Sequence, residues 1–133
     1  MNILVYGTLK RGYWNNRLLE NAQYVGPAVV KNYCLYDGGF PVAQPLEGSS
    51  LQGELFFVDD EDKATVSNCD RLEGTPTFYS REKVQVFSLG QEEPTEAFMY
   101  VGTVGSFSDL KTSGRRAPCP LNKDGHHEWA SRR

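Results

Sequence analysis

The chain opens on a short apolar run, Ile3-Leu4-Val5-Tyr6, closed by Gly7. This pattern predicts a buried strand ending in a tight loop rather than a helix. After Gly12, Asn15-Asn16-Arg17-Leu18-Leu19-Glu20 offers an asparagine cap and good helix formers, enough for one or two helical turns. From Gln23 to Tyr36 β-branched and aromatic residues predominate, broken by Gly26-Pro27, and Asp37-Gly38-Gly39 follows; the expectation is strand, kink, strand, turn. Phe40-Pro41-Val42-Ala43 predicts a brief extended piece, because the residue before a proline is pushed out of the α region. Leu51 to Val58 reads as a further strand, with Gly53 inside it marking a bulge or a close backbone approach.

Four carboxylates, Asp59-Asp60-Glu61-Asp62, then stand where the positive end of a helix dipole favours them, and Val66, Cys69 and Leu72 follow at helical spacing. The spacing predicts the main helix over about Asp60 to Leu72, stopped by Gly74 and Pro76. Phe78 to Leu89 and Glu96 to Val104 are strand-like runs joined through Gly90 and Pro94, a hairpin. Residues 105–133 mix glycine, proline and charge without periodicity and predict an irregular basic C-terminal tail that wraps the surface, ordered by packing of Trp129. Five or six strands with one main helix in mixed order predict an α+β fold, a small mixed five- to six-stranded β-barrel.

Composition changes this picture little. The 133 residues suffice for one core and are few for two, so residues 1–133 are read as a single domain. With 39% hydrophobic and 23% charged residues, neither disorder nor a coiled coil fits. Charge adds an asymmetry: residues 1–104 carry 8 Lys/Arg against 14 Asp/Glu, whereas 105–133 carry 6 against 3. Arg115-Arg116 and Arg132-Arg133 are single pairs without interleaved aromatics, short of a nucleic-acid stripe, though an adaptor that meets an acidic partner through this tail is a reading that the asymmetry allows. Three cysteines, Cys34, Cys69 and Cys119, match no disulfide framework or zinc spacing and predict reduced thiols. No apolar stretch approaches a membrane span, and the expected location is cytoplasmic, with no membrane partner and a monomer as the default.

Two features carry candidate chemistry. Glu73 follows Val66 and Cys69 at intervals of seven and four, which puts its carboxylate at the inward edge of the helix. A carboxylate against a core loses hydration, and its pKa rises toward the range where it exchanges protons near neutral pH. The same spacing also fits a helix-terminal glutamate paired with Arg71 or Arg81. The second feature is the loop Gly7-Thr8-Leu9-Lys10-Arg11-Gly12, whose glycines allow backbone N–H groups to turn toward a carboxylate or oxyanion, although most such loops only turn a corner. It lacks the Gly-Lys-Ser/Thr ending of a phosphate loop. His126-His127 with Cys119 makes no metal site, Ser80 and Ser106 have no nucleophile-elbow context, and Tyr79 and Arg81 share one strand face just after Glu73.

In order along the chain, Val5-Tyr6-Gly7-Thr8-Leu9-Lys10-Arg11-Gly12, Asn16-Arg17-Leu18-Leu19, Phe40-Pro41-Val42, Gly53-Glu54-Leu55, Asp70-Arg71-Leu72-Glu73 and Tyr79-Ser80-Arg81 resemble the γ-glutamyl cyclotransferase-like family, in particular its γ-glutamylamine cyclotransferase branch. The resemblance covers about Asn2 to Val101, and Phe40 departs from it where tyrosine often precedes the proline. It implies a small mixed barrel with a pocket at one end, where the loop after the first strand meets the end of the helix. It further implies a cofactor-free enzyme, a carbon–nitrogen lyase or acyltransferase type, that cleaves a γ-glutamyl amide into 5-oxoproline and a free amine. Glu73 would be the catalytic residue, with Tyr6, Gly7, Thr8, Leu9, Tyr79 and Arg81 binding substrate and no metal. A catalytically idle module that binds a small ligand on the same fold is the alternative.

Overall fold

The computed structural model describes residues 1–130. Strand β1 (Asn2–Val5) is the apolar opening run. It pairs antiparallel with β3 (Pro41–Phe57) and parallel with β5 (Thr95–Gly102), and both its faces meet buried residues, so it needs no polar alternation. Ile3 and Val5 face one cluster of buried residues, Leu4 and Tyr6 another. A long β2 (Gln23–Asp37) pairs with both β3 and β4 (Tyr79–Ser88), and β4 pairs with β5. These pairings close a five-stranded barrel in the order β1, β3, β2, β4, β5, and the two-residue β6 (Ala117–Pro118) lies outside it against β2. Barrel closure leaves no long free edge.

The expected kink at Gly26-Pro27 is a register shift within one continuous strand rather than a break. Phe40–Ala43 and Leu51–Val58, read as separate pieces, belong to the single strand β3 apart from their outer residues Phe40 and Val58. The intervening polar stretch, with Pro45 and Gly48, looks like a loop in sequence; its ends nevertheless pair with β2, Pro45 opposite Tyr33 and Ser50 opposite Lys31. Gly53 is a close approach: a Cβ there would strike the Val5 carbonyl oxygen on β1.

Helix α1 (Lys63–Glu73) starts later than the acidic run suggested. Asp62 is the cap, its carboxylate accepting from the Thr65 N–H at 3.1 Å and the Thr65 hydroxyl at 2.6 Å. Gly74 ends the helix in the left-handed conformation (φ 64°, ψ 38°). Trp14–Leu19 forms a 3₁₀ helix in place of the expected helical turns.

One cluster of buried residues fills the barrel, with Leu4, Leu35, Leu51, Val86 and Met99 among its members; the other, with Ile3, Val5, Val58, Cys69 and Tyr100, lies between barrel and α1. All three cysteines are buried and free. Residues 105–130 are more ordered than the sequence implied. Two one-turn helices, α2 (Val104–Phe107) and α3 (Leu110–Ser113), precede β6, and Cys119 and Trp129 belong to the barrel cluster. The Arg132-Arg133 pair lies outside the described residues. No helix among the described residues is long and apolar enough to cross a membrane.

Candidate active site

At the end of the barrel where the chain leaves β1, a cavity of about 520 Å³ is lined mainly by residues from five places. Tyr6 to Leu9 come from the loop after β1, Arg71 to Gly74 from the end of α1, Phe40 and Pro41 from the β2–β3 turn, and Phe78, Tyr79, Ser106 and Phe107 from the start of β4 and from α2. A cavity this size holds a small molecule.

Glu73 occupies the last turn of α1, half-buried, with Cys69 fully buried one turn before it. Among the described residues its carboxylate makes no hydrogen bond and no ion pair. Loss of hydration alone pushes its pKa up to about 7. The helix-terminal ion pair that the spacing also allowed is not formed, because Arg81 reaches Asp70 instead, at 3.4 Å. Burial likewise pushes up the hydroxyls of Tyr6, Tyr79 and Tyr100, with the Glu73 charge contributing to each.

The loop after β1 is braced from several sides. Asn15 donates to the Thr8 hydroxyl at 2.9 Å and Asn16 to the Leu9 carbonyl at 2.8 Å, so the 3₁₀ helix fixes the loop from outside. Lys10 sends its ammonium inward to the Trp129 carbonyl at 2.7 Å, and the Arg11 N–H donates to Glu54 at 2.8 Å. Gly7 has no room for a side chain, since a Cβ would come within 2.7 Å of Pro41 Cγ. Among the described residues the N–H groups of Gly7, Thr8 and Leu9 donate to no protein acceptor. They are the free donors of this wall, as an anion or an oxyanion requires.

Of the sequence-predicted residues, Glu73, Tyr6, Gly7, Thr8, Leu9 and Tyr79 line one cavity, and Arg81 does not. The Tyr6 hydroxyl is spent on the fold: it donates to the Tyr100 carbonyl at 2.6 Å and accepts from the Ala43 N–H at 3.3 Å. Tyr79 donates to the Pro41 carbonyl at 2.9 Å, which leaves its oxygen free to accept. Arg81 lies on the outer flank of α1, beside Met1 and over the Phe98 ring. Two positions further along β4 than Tyr79, it stands opposite Tyr100 in the ladder and away from the cavity, and Asp70, which also accepts from the Tyr100 hydroxyl at 2.7 Å, pairs with its charge. Sequence reasoning missed Tyr100, Phe78 and Phe107. Phe107 sits in a stretch without periodicity, and only its being a lone aromatic among small and polar residues marked it. His126 and His127 are half-buried and bonded to the Ser50 hydroxyl and the Cys119 carbonyl.

A closed mixed barrel with an uncompensated carboxylate and free backbone donors in one end cavity defines a small barrel with a binding or catalytic site at that end. Residues 3–118 match the family described as gamma-glutamyl cyclotransferase, AIG2-like. The chain belongs to this family. It is 34% identical over 101 residues to a Methanocaldococcus jannaschii protein provisionally named a gamma-glutamylcyclotransferase, covering 74% of this chain and 81% of that one. A gamma-glutamylcyclotransferase family protein of Escherichia coli is 35% identical over 86 residues, 64% of this chain and 73% of its own length. The crystal structure of an AIG2-like protein from Mus musculus matches with a TM-score of 0.67 and 28% identity, over 78% of this chain and 77% of that chain.

Proposed function

We propose that this chain is a γ-glutamylamine cyclotransferase that converts a γ-glutamyl amide into 5-oxoproline and a free amine. The observation that supports this most is Glu73, a carboxylate without a partner whose pKa is pushed up to about 7 in the same cavity as three free backbone N–H groups. In this reading the N–H groups of Gly7, Thr8 and Leu9 hold the glutamyl carboxylate and the developing γ-oxyanion. Glu73 takes a proton from the substrate α-amine, and the amine nitrogen forms a bond to its own γ-carbonyl carbon. As the tetrahedral centre collapses, the bond from that carbon to the amide nitrogen breaks, and Glu73 returns the proton to the departing amine.

Nucleophile and electrophile belong to one molecule, so closing the five-membered ring asks the protein mainly for orientation. The sequence of bonds balances without an enzyme nucleophile or a cofactor. Tyr79, with an acceptor lone pair free, suits an N–H of the neutral α-amine as it attacks. Arg81 acts indirectly in this scheme, by holding Asp70 and with it the last turn of α1.

The test is to incubate the purified protein with a panel of γ-glutamyl amides and follow 5-oxoproline and free amine by mass spectrometry. Equal amounts of both products are expected, with turnover lower by roughly 10²- to 10⁴-fold in a folded Glu73→Gln variant. If the amides bind and stay intact, the site is one for ligand binding and not for turnover.

A further inference from the structure

A carboxylate that stays unpaired in a cavity wall needs the nearby cations kept from it, and the flank of α1 carries such a device. Asp70 and Glu73 stand three residues apart on α1, neighbours on one helical face. Tyr79 and Arg81 stand two apart on β4 and point to one face of the sheet. Arg81 is opposite Tyr100 in the β4–β5 ladder, and Tyr100 lies between barrel and helix. The Glu73 charge acts on both Tyr79 and Tyr100, the two tyrosines next to Arg81 on this sheet. Residues three apart on a helix have Cβ atoms about 5–6 Å from each other, a separation that a long arginine side chain covers. Side-chain length therefore does not decide which carboxylate Arg81 meets.

Asp70 decides it. Its Oδ1 lies 3.4 Å from Arg81 Nε, with both side chains 27% exposed, and the same oxygen accepts from the Tyr100 hydroxyl at 2.7 Å. Arg81 also reaches Met1 Sδ at 3.7 Å and lies 5.3 Å from the Phe98 ring centroid. The other groups facing Glu73 bring no counter-ion. Cys69 on α1, Tyr6 from the end of β1, Tyr79 on β4 and Tyr100 on β5 are pushed up by burial and stay neutral. Arg71 is exposed, and Arg116, whose charge acts on Tyr79, is stacked on the Phe40 ring at 4.4 Å.

We propose that Asp70 is a positioning residue for the reaction: by capturing the Arg81 guanidinium, it leaves Glu73 without a counter-ion and so keeps it a competent base. The proposal rests on the cyclotransferase reading for the role of Glu73, but not for the division of charge between the two carboxylates. A guanidinium turned to Glu73 would favour its charged form and draw its pKa back toward the ordinary carboxylate range, where it is a weak base.

Asp70→Asn keeps an acceptor for the Tyr100 hydroxyl and removes the charge that Arg81 pairs with. Two titrations are followed: the pH profile of kcat/KM on a γ-glutamyl amide and, without substrate, the carbon NMR signal of the Glu73 carboxyl, assigned by its loss in Glu73→Gln. They are measured in wild type, Asp70→Asn, Asp70→Glu and the double variant Asp70→Asn/Arg81→Gln. In Asp70→Asn both midpoints should fall by about one pH unit or more, as Arg81 turns to Glu73. Asp70→Glu, which keeps a carboxylate for Arg81, and the double variant, which removes the cation, should both titrate near the wild-type value of about 7. A merely structural role for Asp70 would lower kcat/KM without moving either midpoint.

An unmoved midpoint in Asp70→Asn overturns the proposal. So does a lowered midpoint that persists in the double variant, since the shift would then come from the lost Asp70 charge and not from Arg81. If no amide is turned over but the NMR titrations move as stated, the charge assignment stands and the cyclotransferase reading falls. Asp70→Ser, which also removes the charge, is read in the same way should Asp70→Asn not fold.

Discussion

Glu73 combines the chemistry of the site with a cost to the fold, and pH separates the two. Folded, its pKa is pushed up to about 7 from the usual 4.5 by burial, so the folded chain holds this proton more tightly than the unfolded one does. Below the unfolded value both states are protonated and nothing is lost; the penalty grows as pH rises and is complete above about 7. Glu73→Gln should therefore raise stability at about pH 8, on the order of 1–3 kcal/mol, and leave it unchanged at about pH 4, as read by thermal denaturation at the two values. The same titration governs catalysis with the opposite benefit. As a base, Glu73 is active once deprotonated, so kcat/KM should rise with pH through a midpoint of about 7. A midpoint in the ordinary carboxylate range would mean that another group is the base.

Helix α1 aims this carboxylate, and its two ends do different work. Asp62 caps the far end, and Asp62→Ala should cost about 1 kcal/mol of stability while sparing kcat/KM. Gly74 closes the near end in a left-handed conformation, with the space for a Cβ taken by Phe78 Cδ2 at 2.7 Å. Gly74→Ala should cost about 1–2 kcal/mol through the left-handed backbone alone. Because the displaced turn holds Glu73 and Phe78 is a cavity wall, kcat/KM should fall well beyond what that stability loss accounts for. Urea denaturation and steady-state kinetics on both variants test this division. If both variants lose activity in proportion to stability, the helix end does not position the site.

For the molecule as a whole, residues 103–130 pack into the barrel's core and the cavity wall and are not an appendage. Trp129 plugs one end of the barrel cluster, packs on the Tyr13 ring at 5.2 Å, and accepts from Lys10 in the loop after β1. Phe107 and Ser106 supply a wall of the cavity. Trp129→Ala should cost about 3–5 kcal/mol, the range for a large aromatic removed from a core. Since the same residue backs the loop that carries the free N–H groups, the loss should be accompanied by a raised KM. A denaturation midpoint like that of wild type would show that the tail is only laid on the surface.

The strand runs, the end of the main helix and the hairpin of β4 and β5 were legible because each rests on local rules: apolar runs bounded by glycine and a left-handed stop. Glu73 was legible for the same reason, since a spacing of four and seven on a helix fixes the face it shares with Cys69 and Val66. Ladder pairing decided what local composition could not. The polar stretch between Ala43 and Leu51 is part of a strand because β2 lies beside it, and Arg81 is drawn to Asp70 because α1 crosses that flank of the sheet. Phe107 belongs to no periodic pattern, and it reaches the cavity through contacts with residues far earlier in the chain. By itself the sequence determined the elements and the one carboxylate set against a core, for these depend on neighbours a few positions apart. Only the tertiary structure decided which charges that carboxylate is kept from and which aromatic wall faces it, because desolvation and pairing depend on what the closed barrel brings near.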